Sequence, residues 1–216
     1  MKFNTAVFDL DGTLLNTLGD LADSVNAVLE RYGYPVRTEE EVRRFVGNGV
    51  PLLIERALPS GTGREEYETC LQAFKEHYRK NMCRKTAPYP GIPELLRELK
   101  RRGVKMAVVS NKFDAAVREL CKKYYGGMIS VAIGESAHVR KKPAPDSVWR
   151  ALRELGAERE SALYIGDSDV DIQTARNAGL AGVGVTWGFR DRALLEREGA
   201  RYLIDRPEQL LDILSL

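Results

Sequence analysis

Carboxylates crowd together at two places in this chain where the preceding residues are apolar. Asp9 and Asp11 follow Ala6, Val7 and Phe8 in "TAVFDLDGTLLNT", and Asp167, Asp169 and Asp171 follow Leu163, Tyr164 and Ile165 in "SALYIGDSDVD". Side chains alternate along a strand, so Asp9 and Asp11 leave it on the same side. Neighbouring carboxylates repel and do not belong in a core, so a cation is their expected company. Three or four carboxylates call for a hard divalent ion, and Mg²⁺ with several waters suits one or two direct carboxylates. Ser110 and Asn111 close the apolar run "MAVV", and Lys142 stands in "KKP" just ahead of a helical pattern. Their donors and positive charge suit a phosphoryl oxygen. Together these residue types point to phosphoryl transfer. A carboxylate can be the nucleophile, giving an aspartyl-phosphate. A metal would hold that anion against the phosphate. A second, protonatable carboxylate would serve the leaving group and the attacking water.

Taken singly, each residue has a plainer reading. Asp11-Gly12 is a common turn, and Asp169, Asp171 or Ser110-Asn111 can cap helices. Their weight is joint, and it depends on the elements that must position them. Residues 5–8 read as a buried strand. Leu18, Leu21, Val25, Val28 and Leu29 recur at helical spacing up to Gly33. "TEEEVRRFVG" starts a second helix, with a capping box through Glu41. "NGVPLLIERALPSG" suggests a third helix, with Pro51 in its first turn, and residues 64–82 a fourth. From residue 87 strands and helices alternate. Strands are expected at 104–111, 129–135, 161–167 and 180–188, with a short one in "ARYLI" and a closing helix in "PEQLLDIL". Repeated strand–helix units predict an α/β fold, a doubly wound and mostly parallel sheet. The helical block 16–85 is then an insertion, and residues 1–15 and 86–216 form the core. In such sheets ligands bind beyond the carboxyl ends of the strands, where the acids, Ser110 and Lys142 all fall.

Bulk properties narrow the class. The chain has 216 residues, 44% hydrophobic and 30% charged, with a formal net charge of +2. The signs are interspersed, which argues against a nucleic-acid surface. Cys70, Cys83 and Cys121 make an odd number with no C-x-x-C, so free thiols and a cytoplasmic setting are expected. No apolar run reaches the roughly 20 residues that span a bilayer, and the N-terminus lacks a signal-peptide pattern. His77 and His138 are expected at the surface, away from the chemistry.

"DLDGT", "VSNK", "KKP" and "GDSDVD", in this order and spanning residues 9–171, resemble the haloacid dehalogenase-like hydrolase superfamily. The resemblance implies a Rossmann-like core with a helical cap inserted after the first motif. It implies Asp9 as nucleophile and Asp11 as general acid/base. Asp167, with Asp9 and the backbone carbonyl of Asp11, would bind Mg²⁺. Ser110 and Asn111 would hold the phosphoryl group, and Lys142 would offset charge between nucleophile and phosphate. Asp171 would support the metal or Lys142 from behind, and Asp169 falls at a variable position. The dehalogenase branch lacks the second acid, so Asp11 implies a phosphatase or phosphomutase. "VGNGV", "VSNK" and "VTWGF" look like the phosphoglycolate phosphatases of bacteria, with Asn16 departing from the Asp common in "DGTLxD".

Specificity would come from the cap. Arg43, Arg44, Gly47, Asn48 and Gly49 lie in or beside a predicted cap loop, and backbone amides at the glycines suit an anion. Hinges are expected near 14–17 and 84–90. The expected partner is a small phosphorylated metabolite such as 2-phosphoglycolate, acted on by a monomer or homodimer. A pyrophosphatase or broad sugar-phosphate phosphatase, a β-phosphoglucomutase-like isomerase and a non-catalytic phosphate-binding protein remain as alternatives.

Overall fold

The computed structural model describes residues 3–137 and 139–215, so His138 lies outside the described residues. The chain divides into two compact units, Met1–Leu15 with Pro88–Leu216, and Asn16–Ala87. Where the chain passes from one unit to the other, β2 (Leu15–Asn16) and β3 (Ala87–Pro88) pair as a two-stranded ribbon.

The first unit is built on six strands: β1 (Thr5–Phe8), β4 (Lys105–Phe113), β5 (Val131–Glu135), β6 (Ala162–Gly166), β7 (Ala181–Val185) and β8 (Tyr202–Ile204). They lie in the order β5-β4-β1-β6-β7-β8, and every described ladder is parallel. β1 and β6 are buried throughout, and β4 is buried from Met106 to Lys112. Continuous apolar runs of this kind belong to parallel sheets covered on both faces. The covering helices are α5 (Ile92–Arg101), α6 (Asp114–Tyr125), α7 (Asp146–Leu155) and α8 (Asp169–Ala178), with α9 (Arg192–Arg197) and α10 (Leu210–Ser215) closing the chain. From β1 the chain adds β4 and β5 on one side, then returns to add β6, β7 and β8 on the other. The order therefore reverses between β1 and β6, and the crevice at such a switch point is where doubly wound sheets bind ligands.

Some boundaries differ from the sequence expectation: the strand expected at 180–188 ends at Val185. β4 runs on to Phe113, with its register broken between Val109 and Phe113, so Ser110, Asn111 and Lys112 lie within the strand. The predicted closing helix opens as a single 3₁₀ turn at Pro207–Gln209, with Pro207 at its start, and continues as α10.

The second unit is helical: α1 (Leu18–Arg31), α2 (Glu39–Phe45), α3 (Val50–Ala57) and α4 (Arg64–Asn81). Thr38 caps α2 in the expected box, its backbone N–H donating to Glu41 at 2.8 Å while Glu41 N–H donates back to the Thr38 hydroxyl. Asp20, buried in α1, accepts the backbone N–H groups of Arg84, Lys85 and Thr86 at 2.9–3.1 Å. These three donors explain how an acid is tolerated inside this unit. His77 is half-buried rather than at the surface, because its Nδ1 lies 3.0 Å from the buried Ser24 hydroxyl. Cys70, Cys83 and Cys121 are free thiols. No helix among the described residues is long and apolar enough to cross a membrane.

Candidate active site

β1 delivers Asp9 to its carboxyl end, where the Asp9 N–H still donates to Ile165 O at 2.8 Å. The chain then turns sharply, with Leu14 N–H and Leu15 N–H both donating to Leu10 O. Gly12 takes φ +88° in this turn, and a side chain there would collide with the Asp167 carboxylate. β6 delivers Asp167 beside it, and Ser168 caps α8 through Asp171. β4 supplies Ser110, Asn111 and Lys112, and the segment before α7 supplies Lys142.

The side chains that meet are Asp9, Lys142 and Asp171. The Lys142 ammonium donates to Asp9 Oδ1 and to Asp171 Oδ1, each at 2.7 Å. Asp171 Oδ2 accepts from the Ser168 backbone N–H and hydroxyl at 3.1 and 2.6 Å. Asp167 Oδ1 accepts from Thr13 Oγ1 at 3.0 Å, and its Oδ2 from Phe189 N–H at 2.7 Å. Asp9 Oδ2 has no hydrogen-bond partner among the described residues.

Burial governs the charges. It raises the Asp9 carboxyl well above the usual range, opposed by the Lys142 ammonium and reinforced by Asp171, Asp167 and Asp11. It also works against the charge on Lys142, but the Asp171 and Asp9 carboxylates outweigh it and hold the ammonium well above the ordinary lysine range. Asp167 is pushed up to about 7, by burial first and then by Asp171, against the opposing Phe189 and Thr13 hydrogen bonds. One ammonium thus faces more negative charge than it can neutralise, which leaves room for a further cation.

Carboxylate oxygens of Asp9, Asp167 and Asp171 lie within 4.8 Å of one another. The donor set fits a hard divalent ion, since it consists of carboxylate oxygens alone. Within it, Asp171 is occupied on both oxygens by Lys142 and Ser168, whereas Asp9 Oδ2 is open and each Asp167 oxygen holds one partner. Asp9 and Asp167 are thus the carboxylates that could hold such an ion, while Asp171 holds Lys142.

The other expected residues have partners of their own. The Asp11 side chain lies outside the carboxylate group, drawn 2.8 Å from the buried Lys112 ammonium. The Asn111 side chain clamps the Lys142 backbone, donating to its carbonyl at 3.1 Å and accepting its N–H at 2.8 Å. Its amide therefore positions Lys142. Ser110 Oγ accepts the Lys112 N–H at 3.2 Å and keeps its own proton to donate. Asp169 is more exposed and sits 3.8 Å from Arg190. Arg43 pairs with Glu40 at 3.7 Å within α2, and Arg44 Nε donates to Glu40 O. Gly47 and Gly49 take φ +123° and +91° in the loop before α3, with Asn48 between them.

Sequence reasoning passed over Thr13, Lys112, Tyr164, Ser168 and the Phe189 N–H. Thr13 and Lys112 stand inside the quoted motifs, and Ser168-x-x-Asp171 is a capping pattern. Tyr164 is the one aromatic in an aliphatic strand, three residues before Asp167. A backbone donor such as Phe189 leaves no mark in a sequence.

Residues 6–185 match the family of haloacid dehalogenase-like hydrolases. A phosphoglycolate phosphatase of Aquifex aeolicus is 35% identical over 214 residues, covering 97% of this chain and 95% of that protein. A phosphoglycolate phosphatase of Haemophilus influenzae is 35% identical over 221 residues, covering 99% of each. The crystal structure of a predicted phosphoglycolate phosphatase from Haemophilus somnus superimposes with a TM-score of 0.92 at 30% identity, covering 99% of this chain and 98% of that one. CbbY from Rhodobacter sphaeroides, solved in complex with phosphate, superimposes with a TM-score of 0.81 at 27% identity, covering 99% of this chain and 100% of that one.

Proposed function

The chain belongs to the haloacid dehalogenase-like hydrolases and is a phosphoric monoester hydrolase, and from that premise we propose that it hydrolyses 2-phosphoglycolate through an aspartyl-phosphate on Asp9, with Mg²⁺ as its cofactor. The observation that carries the reading is the state of Asp9. One oxygen is fixed by Lys142, and the other is open at the switch point of the sheet. Asp9 Oδ2 attacks phosphorus and the P–O ester bond breaks, the leaving oxygen taking a proton from Asp11. Water then attacks the same phosphorus and gives its proton to Asp11, which frees Asp9 and inorganic phosphate. Asp11 is held by Lys112 in this structure, so its turn as an acid requires that ion pair to open. Ser110 donates its hydroxyl proton to a phosphoryl oxygen, and Lys142 supplies positive charge beside it. Asp9, Asp167 and the Asp11 carbonyl would hold the metal, which when bound offsets the negative charge of nucleophile and phosphate.

The second unit would act as the cap that selects the ester. Arg43 and the amides of Gly47, Asn48 and Gly49 would meet the substrate carboxylate. The name of the Aquifex and Haemophilus relatives supports this choice of substrate.

Phosphate release from a panel of phosphate esters and pyrophosphate, with Mg²⁺ and with Asp9→Asn as control, tests the reading. Marked preference for 2-phosphoglycolate, lost in the control, is expected. Equal turnover of unrelated esters discards the substrate, and a rearranged sugar phosphate in place of inorganic phosphate identifies a mutase. Full activity of Asp9→Asn overturns the mechanism.

A further inference from the structure

Lys142 carries three N–H donors, and the structure gives each an acceptor. Two are the carboxylates of Asp9 and Asp171, and the third is the Tyr164 hydroxyl at 3.0 Å. Tyr164 lies in β6 with no exposed surface, its ring packed in the apolar cluster that includes Val7, Val109 and Ile133. Phenylalanine would fill that volume equally well, so the core has no use for the oxygen. A hydroxyl in a dry pocket is costly unless it is partnered. Besides Lys142, its neighbours are Asp171 Oδ1 at 3.2 Å and Val109 O at 3.4 Å. It accepts one proton from Lys142 and donates its own toward Asp171 or Val109.

Geometry gives the oxygen a task. A lysine head sits on a flexible four-carbon stem with rotatable donors. Two acceptors fix the distance of the ammonium from each, but leave it free to swing about the line that joins them. A third acceptor, mounted on a rigid central strand, removes that swing. Asp171 is fixed by the same hydroxyl and by Ser168.

We propose that Tyr164 is a positioning residue, whose hydroxyl holds the Lys142 ammonium and Asp171 in one arrangement so that Asp9 Oδ1 stays bound and Oδ2 faces the phosphoryl group. This rests on Asp9 being the nucleophile, as proposed above.

The test is steady-state turnover of the preferred ester by the full chain with Mg²⁺, comparing parent, Tyr164→Phe and Asp9→Asn. Tyr164→Phe is expected to lower kcat about tenfold, the effect of losing one hydrogen bond to a charged group, with KM within about twofold. The KM-against-kcat split separates alignment of the nucleophile from binding of the ester. In a double-mutant cycle with Asp171→Asn, the Tyr164→Phe loss should shrink, because both changes release the same ammonium. Wild-type kcat, additive losses or a change confined to KM overturns the proposal. So does a kcat that recovers fully at a lower temperature in a variant that melts early, since that marks a fold defect. Inactive Asp9→Asn beside fully active Tyr164→Phe removes the positioning role alone, whereas active Asp9→Asn removes the nucleophile and this role with it.

Discussion

Asp167 shows how one residue links site, metal and pH. It is almost wholly buried, and its carboxyl is pushed up to about 7. Between about pH 4 and pH 7 the folded chain therefore keeps a proton that the unfolded chain has already released. Linkage fixes the sign: with no metal bound, this group's contribution to stability falls as pH rises through that window. A divalent cation reverses the cost, because it favours the ionised carboxylate. Melting temperatures with and without Mg²⁺ should thus differ more at about pH 8 than at about pH 6, where the proton competes for the same oxygens. A Mg²⁺ effect that is equal at both values, or larger at the lower one, would remove Asp167 as a ligand. The sequence made the acids of this site visible, since carboxylates after apolar runs stand out. It did not show which partner each would take. The Asp11 pairing with Lys112 and the Asn111 clamp on Lys142 depend on side-chain direction at strand ends, and the register of β4 breaks between Val109 and Phe113, over the stretch that carries Asn111 and Lys112.

Loops carry the site between elements, and glycines let them approach. Gly188 follows β7, and a Cβ there would sit 2.2 Å from Asp167 Cβ and 2.5 Å from the Gly12 carbonyl. Neither neighbour is the far end of a flexible chain, so the loop itself must retreat. It carries Phe189, whose N–H holds Asp167 Oδ2, and Trp187, whose indole N–H donates to Thr13 O at 3.0 Å. Gly188→Ala is therefore expected to cost about 1–3 kcal/mol, the usual penalty of overpacking. It should also reduce kcat/KM by about a hundredfold or more, as a misplaced reacting group does. Urea unfolding and phosphate release measure the two effects, and wild-type turnover in this variant would show that the loop has no part in aligning Asp167. Elements as such were the most legible level of the sequence. Short apolar runs alternating with helical patterns marked the strands, and period and caps marked α1 to α4. The backbone donor of Phe189 was illegible, because any residue at position 189 supplies an N–H.

At the scale of the whole molecule, the insertion is the decisive feature. Residues 16–87 form a compact helical unit of their own, with α1 packed on α2 and α4 and Asp20 tying the return segment 84–86 back to α1. The break at residue 16 could be read from the switch between helical and strand patterns. The sheet order β5-β4-β1-β6-β7-β8 could not, because it pairs β1 with β4 and β6, whose strands lie far along the chain, and the motif resemblance implied a Rossmann-like core without an order. Every described strand of that sheet, and all of Asp9, Ser110, Lys142, Asp167 and Asp171, belong to the first unit. The pairing of β2 with β3 brings the two ends of the insertion side by side, so a linker of a few glycines and serines can replace residues 16–87. The shortened chain should unfold cooperatively, as a domain with its own core does. It should still release phosphate slowly from a generic aryl phosphate, with Asp9→Asn again inactive. The preference proposed for 2-phosphoglycolate should be gone, because the residues proposed to read its carboxylate have been removed. A shortened chain that keeps the preference would move specificity into the first unit and end the role assigned to Arg43 and the Gly47–Gly49 loop.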